Sequence, residues 1–435
     1  MIQRYTTPEL SEVWSESSRW KLFVRLEALF LKALEKRGIA APGGAEVLGR
    51  LDPDPVRIAE IERETGHEVV AFIKACEELA PPGTLRYIHY GLTSSDIMDT
   101  VFSLQLVKAG RLIEKELKSV IGLLREKALL YKGLPIIGRT HGIHAEPTSL
   151  GLVFLGFFNE FQRHERRLES ALNDVSVGKL SGAVGTHAST DPLIEEEVLT
   201  ELGLRPEECA TQVVARDRYS HFFCTLAGLG GGIERLATTI RHLQRTEVGE
   251  IFEPFGRRQT GSSAMPHKRN PVLSENLCGL ARLLRSYCVA SLENQALWME
   301  RDISHSSVER VIGPDATTVA HFALRRLARI LEGLEINKDA MRRNLELTGG
   351  AWSSGCLLLK LISSGLTRTQ AYEIVQDAAK QAVQAGRGFQ EVVMGNEEVL
   401  KHIGPEDISE CFDPEAYLKN EGVLFSRSGI TGREK

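Results

Sequence analysis

Residues 219–246 read YSHFFCTLAGLGGGIERLATTIRHLQRT. Phe222, Leu226, Leu229, Ile233, Leu236, Ile240 and Leu243 alternate spacings of four and three without a break. That is the a/d seam of helices packed nearly parallel to one another. Gly228, Gly230, Gly231 and Gly232 fall inside the run. Glycines weaken an isolated helix, so close backbone approach to a neighbouring helix is the expected compensation.

The same periodicity recurs on both sides. Over 96–132, Leu106, Ile113 and Val120 repeat every seventh position, with Leu117, Leu124 and Tyr131 on the offset track. Asp96 is placed to cap that helix. Further amphipathic stretches cover 147–174, 274–299 and 315–334, and strand signals are scarce. The expected class is all-α. Helices of about 20–37 residues span about 30–55 Å, more than one compact monomer core needs. An elongated bundle completed by other subunits is therefore expected; a monomeric multi-helix protein is the alternative. The flanks carry shorter helices, broken at Pro53, Pro55 and Pro81-Pro82-Gly83, and later at Gly349-Gly350, Gly365 and Gly404-Pro405. The resulting plan is an N-terminal helical domain (1–95), a central long-helix bundle (96–338) and a C-terminal helical domain (339–435).

Bulk properties exclude several classes. Hydrophobic residues at 42% and charged residues at 26% describe an ordinary globular chain. A net charge of -5 gives no global basic field for nucleic acid, although local cationic clusters still suit a small anion. The seven cysteines (76, 209, 224, 278, 288, 356 and 411) contain no CxxC pair. They read as buried, reduced thiols of a cytoplasmic protein. The N-terminus MIQRYTTPELSEVW does not resemble a signal peptide, and no membrane span is expected.

Three segments offer chemistry. GRRQTGSSAMPHKRNP at 256–271 is bounded by Gly and Pro and precedes a helix expected near Val272. Its small residues admit backbone N–H groups to a ligand, Lys268 and Arg269 add charge, and Asn270 adds donors. Those parts suit a loop closing over an anion; an ordinary basic surface loop is the bland reading. GRTHGIHAEPTS at 138–149 puts His141 in a Gly-flanked loop before a helix expected near Pro147. A histidine there suits a general acid, or a structural ring bonded to backbone. RYIHYGLTSSDIMD at 86–99 sets Thr93, Ser94 and Ser95 at a helix start, which suits a carboxylate or phosphate, or simple capping. There is no GxxxxGK[ST] and no HExxH, and His141/His144 lack a completing carboxylate or thiol group. GLGGGI at 228–233 lies inside the heptad run with no preceding strand, so a dinucleotide loop is discarded.

Together these segments resemble the fumarase/aspartase superfamily, whose signature GSSxMPxKxN is similar to GSSAMPHKRNP. Within it the chain resembles the adenylosuccinate lyases. Arg4-Tyr5, TGHEVVAF (65–72), HYGLTSSDIMDT (89–100) and RTHGIHAEPT (139–148) look like their elements. Glu68 stands where the family pattern has Asp, and Ile143 where Gln is common. The resemblance implies three helical domains and a homotetramer with a twenty-helix core and active sites shared between subunits. It implies no cofactor, no metal, no nucleic acid and no membrane, only small succinyl-amino nucleotides.

The implied reaction eliminates fumarate from adenylosuccinate, giving AMP, and from succinyl-aminoimidazole carboxamide ribotide, giving AICAR. The resemblance assigns Ser262 as base, Lys268 and the 261–264 amides to the developing dianion, His141 as general acid and Glu275 as its orienting carboxylate. His67, Glu68, Val69 and His89 would contact substrate or orient histidines. Thr93, Ser94, Gln212, Ser263 and Asn276 would hold carboxylates or the base, joined by Arg269 and Asn270 of the loop. Arg4, Tyr5, Arg301, Ser306 and Arg310 would hold phosphate, a task that suits the guanidinium fork. Two rivals remain. A 3-carboxy-cis,cis-muconate cycloisomerase shares a similar loop but has no phosphate to bind. A structural protein on this scaffold would have no use for His141, Ser262 and Lys268.

Overall fold

The computed structural model describes residues 1–256, 261, 264, 265 and 267–430. Helices dominate, as expected. Those used below are α1 (Glu16–Lys36), α2 (Glu68–Leu79), α3 (Ser94–Leu130), α4 (Leu150–Val175), α5 (Arg216–Leu243), α6 (Val272–Glu293), α7 (Ser304–Glu332) and α8 (Lys338–Glu346). The short strands β1 (Pro135–Thr140) and β2 (Ile143–Ser149) pair antiparallel, as do β3 (Ile251–Phe252) and β4 (Glu335–Ile336). The five amphipathic stretches of the sequence correspond to α3–α7, with ends displaced by a few residues. The largest change is α7, which begins at Ser304 and runs through Pro314.

Two compact units are present. The first comprises Met1–Lys118, Arg163–Ile233 and Leu277–Arg326; the second comprises Ser119–Gln162, Glu234–Asn276 and the residues from Leu327 on. The division falls inside each of the long helices α3–α7. The core of the first unit is built on α1, where Ser15 caps the helix through the Ser18 N–H at 3.1 Å. Trp20, Phe23, Leu26, Phe30 and Leu34 of α1 are buried. The Trp20 ring stacks on Phe72 of α2 at 5.8 Å, and Phe23 meets Phe72 edge-on at 5.3 Å. In the second unit a separate cluster gathers Leu357, Leu361, Ala371, Val375, Val393 and Ile408.

The heptad seam changes meaning in three dimensions. Leu106, Ile113, Leu117, Val120 and Leu124 are fully buried within the single chain, as are Phe222, Leu226, Leu229, Ile233 and Leu236. The expectation that these stripes require other subunits to cover them is therefore overturned, because the chain's own helices cover them. Of the glycines in α5, Gly230 meets a neighbour closely: a Cβ there would lie 3.0 Å from the Leu284 side chain on α6. At Gly228 and Gly231 a Cβ would meet nothing within 4 Å, and nothing in the structure explains those glycines. GLGGGI lies within α5, as its place in the seam requires.

Among the described residues no helix is long and apolar enough to cross a membrane. Cys76, Cys278 and Cys411 are buried as expected, whereas Cys209 is exposed and Cys224, Cys288 and Cys356 are partly so. Cys209 follows the acidic pair Glu207-Glu208 in a surface turn, outside any helical pattern that would have fixed its burial.

The start of α3 is held by an ion pair between Asp96 and Lys179, both fully buried. Asp96 also accepts from the Ser181 N–H at 3.1 Å, the Gly182 N–H at 3.2 Å and the Thr93 N–H at 2.7 Å. Asp96 thus reaches back over the first turn rather than standing ahead of it, and α3 opens at Ser94. Lys179→Met would strand a buried carboxylate. We expect a loss of about 3–5 kcal/mol in unfolding free energy, read by chemical denaturation. A loss under about 1 kcal/mol would show that the backbone donors suffice.

Candidate active site

The site residues expected from the sequence divide between the two units. In the first, α2 begins after His67, whose Nδ1 accepts from the Val70 N–H at 3.3 Å. An accepting Nδ1 leaves the proton of the neutral ring on Nε2, which lies 3.3 Å from Ser94 Oγ. His89 adopts a left-handed φ of 57° and is locked there by buried Glu27. Glu27 Oε2 accepts from the His89 N–H at 3.0 Å, and Oε1 lies 2.8 Å from Nδ1. Gln212 accepts from Arg301 at 3.0 Å and donates to the Ala183 carbonyl at 2.9 Å.

Glu68 departs most from expectation. It is buried, bonded to Arg19 and, through Oε2, to Arg310 at 2.5 Å. In this state it occupies an arginine expected to hold phosphate. Burial raises its carboxyl, but Arg19 and then Arg310 outweigh that and bring it from its ordinary 4.5 down to about 2. The Val69 side chain is buried in the core, so only its backbone is free to face a ligand. Arg4 is exposed, and Tyr5 packs edge-on against Phe322 at 5.2 Å.

A cavity of about 190 Å³ is lined by Arg19, Arg301, Ser306 and Arg310, and also by Asp99, His305 and Glu309. Two nitrogens there, Arg301 Nε and His305 Nδ1, are buried without a hydrogen-bond partner among the described residues. Burial lowers His305 to about 4, with Arg216 adding to it, so its ring is neutral at neutral pH. Burial and Asp99 push Glu309 up to about 7 against the pull of Arg216. Arg19, Asp99, Arg216, His305 and Glu309 escaped the sequence reading. His305 and Glu309 stood four apart in RDISHSSVER, a one-face spacing that was the available signal.

In the second unit, His141 is not in a loop but at the tip of the β1–β2 hairpin, where Thr140 pairs with Ile143. φ is 55° at His141 and 80° at Gly142, the pattern of a type I′ turn. The following helix starts at Leu150, not Pro147, because Pro147 and Thr148 pair with Ile137 and Ile136 in the hairpin. His141 is exposed, and among the described residues no hydrogen bond joins it to Glu275.

Ser262 and Ser263 lie outside the described residues. The roots of their loop are well fixed. Gln244 accepts from the Glu253 N–H at 2.9 Å and donates to the Arg269 carbonyl at 3.0 Å. Glu253 caps α6 by accepting from the Leu273 and Ser274 N–H groups at 3.0 and 2.5 Å. Lys268 is exposed, Asn270 half-buried and Asn276 half-buried in the first turn of α6. Arg269 is bonded to Glu335 at 3.1 Å and sits over the Phe255 ring at 4.7 Å, so its charge is already engaged. Among the described residues no group of His, Cys, Asp and Glu could hold a metal ion.

A family model described as Lyase matches residues 6–284, and one described as Adenylosuccinate lyase C-terminus matches 350–428. A curated adenylosuccinate lyase of Thermotoga maritima is 45% identical over 98% of this chain and 99% of its own. The chain belongs to the adenylosuccinate lyase family. Among solved structures, a fumarate lyase from Mesorhizobium sp. BNC1 is similar at TM-score 0.90 and 28% identity over 100% of both chains. A 3-carboxy-cis,cis-muconate lactonizing enzyme from Pseudomonas putida reaches 0.88 and 29%, over 98% of this chain and 96% of that one. Membership of the family accounts for the signature loop and the all-α class together.

The Glu68 carboxyl falls below its ordinary range on folding, so it stabilises the protein above about pH 4.5, and that contribution disappears as pH falls toward 2. Glu68→Gln should cost up to about 3 kcal/mol at pH 7, with the gap to wild type closing below pH 4. Denaturant titrations at pH 7 and pH 3 measure it; a gap independent of pH would remove the ion pairs as the cause.

Proposed function

We propose that the protein is an adenylosuccinate lyase, eliminating fumarate from adenylosuccinate and from succinyl-aminoimidazole carboxamide ribotide. The carrying observation is the cavity of the first unit, where Arg301, Ser306 and Arg310 gather and where, among the described residues, Arg301 Nε and His305 Nδ1 are buried without partners. Buried polar nitrogens left open are costly unless a ligand meets them, and guanidinium forks suit a phosphate. A muconate substrate has no phosphate to match them, and the full-length likeness to an adenylosuccinate lyase also disfavours the cycloisomerase reading.

In the elimination, a base removes a proton from the succinyl carbon beside a carboxylate, the C–N bond breaks, and fumarate leaves with the new double bond. Ser262 is the proposed base. Lys268 and the 261–264 amides meet the charge that builds on the carboxylate. His141 gives its proton to the departing nitrogen, restoring the amino group of AMP, and Glu275 orients it. His67, His89, Thr93, Ser94, Gln212 and Asn276 hold the succinyl group, and Arg4 and Tyr5 join the phosphate. Ligand phosphate must displace Glu68 from Arg310 or share it. No cofactor or metal enters the scheme, and the reaction belongs in the cytoplasm.

Assembly as a homotetramer of three-part chains, 1–95, 96–338 and 339–435, belongs to the same proposal. Its support is the apolar surface near α6 and α7, where Trp298, Met299 and Ile303 are 82%, 93% and 68% exposed.

Fumarate release from adenylosuccinate tests the reading. The dephosphorylated nucleoside should lose most of kcat/KM, since remote binding energy positions the reacting carbon; equal kcat/KM would revive the cycloisomerase. His141→Gln should lower kcat about 10²–10⁴-fold with the fold intact.

Mixing inactive His141→Gln and Ser262→Ala chains after mild dissociation should restore roughly a quarter of wild-type activity if different chains supply the two residues. No recovery despite subunit exchange would place both on one chain.

A further inference from the structure

The hairpin carrying His141 is anchored two residues before its tip. Arg139 Nη1 donates to Glu250 Oε2 at 2.9 Å, and Nη2 donates to Oε1 at 2.7 Å, a bidentate clasp on a carboxylate with no exposed surface. Asn344 of α8 donates to Glu250 Oε1 at 2.7 Å and to the Val248 carbonyl at 2.9 Å. The backbone of Glu250 is pinned as well: its N–H donates to Leu243 at the end of α5 at 2.9 Å, and its carbonyl accepts from Asn337 at 2.9 Å. Two side chains, Arg139 and Asn344, thus converge on one carboxylate whose backbone is fixed on both sides.

The strand is shaped to allow this. Register slips between Ile137 and Arg139, and a Cβ at Gly138 would lie 2.6 Å from the Glu146 carbonyl. The bulge turns Arg139 toward Glu250. On the other side Ile137 packs with Leu345 and Trp352. A tip with two left-handed residues has little of its own to hold it; its orientation is set by what grips the strands below.

We propose that Glu250 is a positioning residue for the elimination, holding the His141 hairpin through Arg139. The proposal rests on the reading of His141 as the proton donor. A general acid displaced by about 1 Å loses much of its rate advantage, on the order of 10²-fold at the extreme, while groups that bind the nucleotide are unaffected.

Glu250→Gln keeps the shape, removes the charge and spoils the clasp. In the full-length enzyme we expect kcat to fall about 10–100-fold with KM for adenylosuccinate within about three-fold. Amide exchange at Ile143, whose N–H belongs to the hairpin, should accelerate. Arg139→Lys should behave alike, since an ammonium cannot make both bonds. The double variant Arg139→Lys/Glu250→Gln should be no worse than the weaker of its two singles, the mark of a coupled pair. A Glu250→Gln enzyme with wild-type kcat and wild-type hairpin exchange, beside an inactive His141→Gln, overturns the proposal. If His141→Gln keeps its activity, the proton-donor reading fails instead, and the exchange measurement still decides whether Glu250 holds the tip. Should Glu250→Gln not fold, Asn344→Ala removes one limb only: a kcat lowered about three-fold at unchanged KM supports the proposal, and an unchanged kcat overturns it.

Discussion

A single buried guanidinium organises the first unit. Arg216, in the first turn of α5, donates to Asp99 of α3 at 2.6 and 2.9 Å and to Glu309 of α7 at 3.2 Å. It also donates to the Val214 carbonyl at 2.8 Å. Three long helices are thereby fixed in register where they approach the cavity. Only a planar fork can serve two carboxylates and a carbonyl at once. Burial pushes the Glu309 carboxyl up, and Asp99 adds to that, because one positive charge cannot fully compensate two buried negative ones. The wall of the cavity therefore carries a group whose proton is held near neutrality by the architecture that builds the cavity.

The helices act as rigid members, and the candidate chemistry sits at their ends and turns. Ser94 opens α3, Arg301 and Ser306 flank the start of α7, and Glu275 and Asn276 lie in the first turn of α6. Such positions combine a fixed backbone with side chains at a helix end; at α6 the first N–H groups are already taken by Glu253 and the Pro271 carbonyl. Gln244 and Glu253 illustrate the cost of placing an irregular segment between two helices. Both are buried, and both spend their hydrogen bonds on tying the segment's two ends together.

The long helices were legible because burial follows the 3.6-residue period, and each heptad position is a direct readout of that burial. What covers a seam was not legible, since the pattern marks a face and says nothing of which chain meets it. Leu117 and Leu124 look alike whether they face a partner or their own fold. The hairpin at 135–149 was missed because Pro135, Gly138 and Pro147 interrupt its strands and its turn is His-Gly rather than Asn-Gly. Arg19, Asp99 and Arg216 were missed for a different reason: they lie far apart in sequence, and only folding brings their charges together. His141 stood out by its Gly-flanked segment, whereas Arg301, Ser306 and Arg310 came only through the resemblance.

The turn at 140–143 separates two kinds of demand that usually fall on one residue. At Gly142 the demand is conformational, set by a φ of 80°. At His141 it is conformational and, on the proposed function, chemical as well; asparagine would satisfy the first while failing the second. At Ile143 neither applies: its side chain is 70% exposed beyond the tip and its backbone is ordinary strand. A side chain there is free to vary in size and polarity without disturbing the neighbour that carries the ring. On the proposed function the hairpin is a mount whose outermost strand position is an adjustable one, while the two positions before it admit almost no latitude.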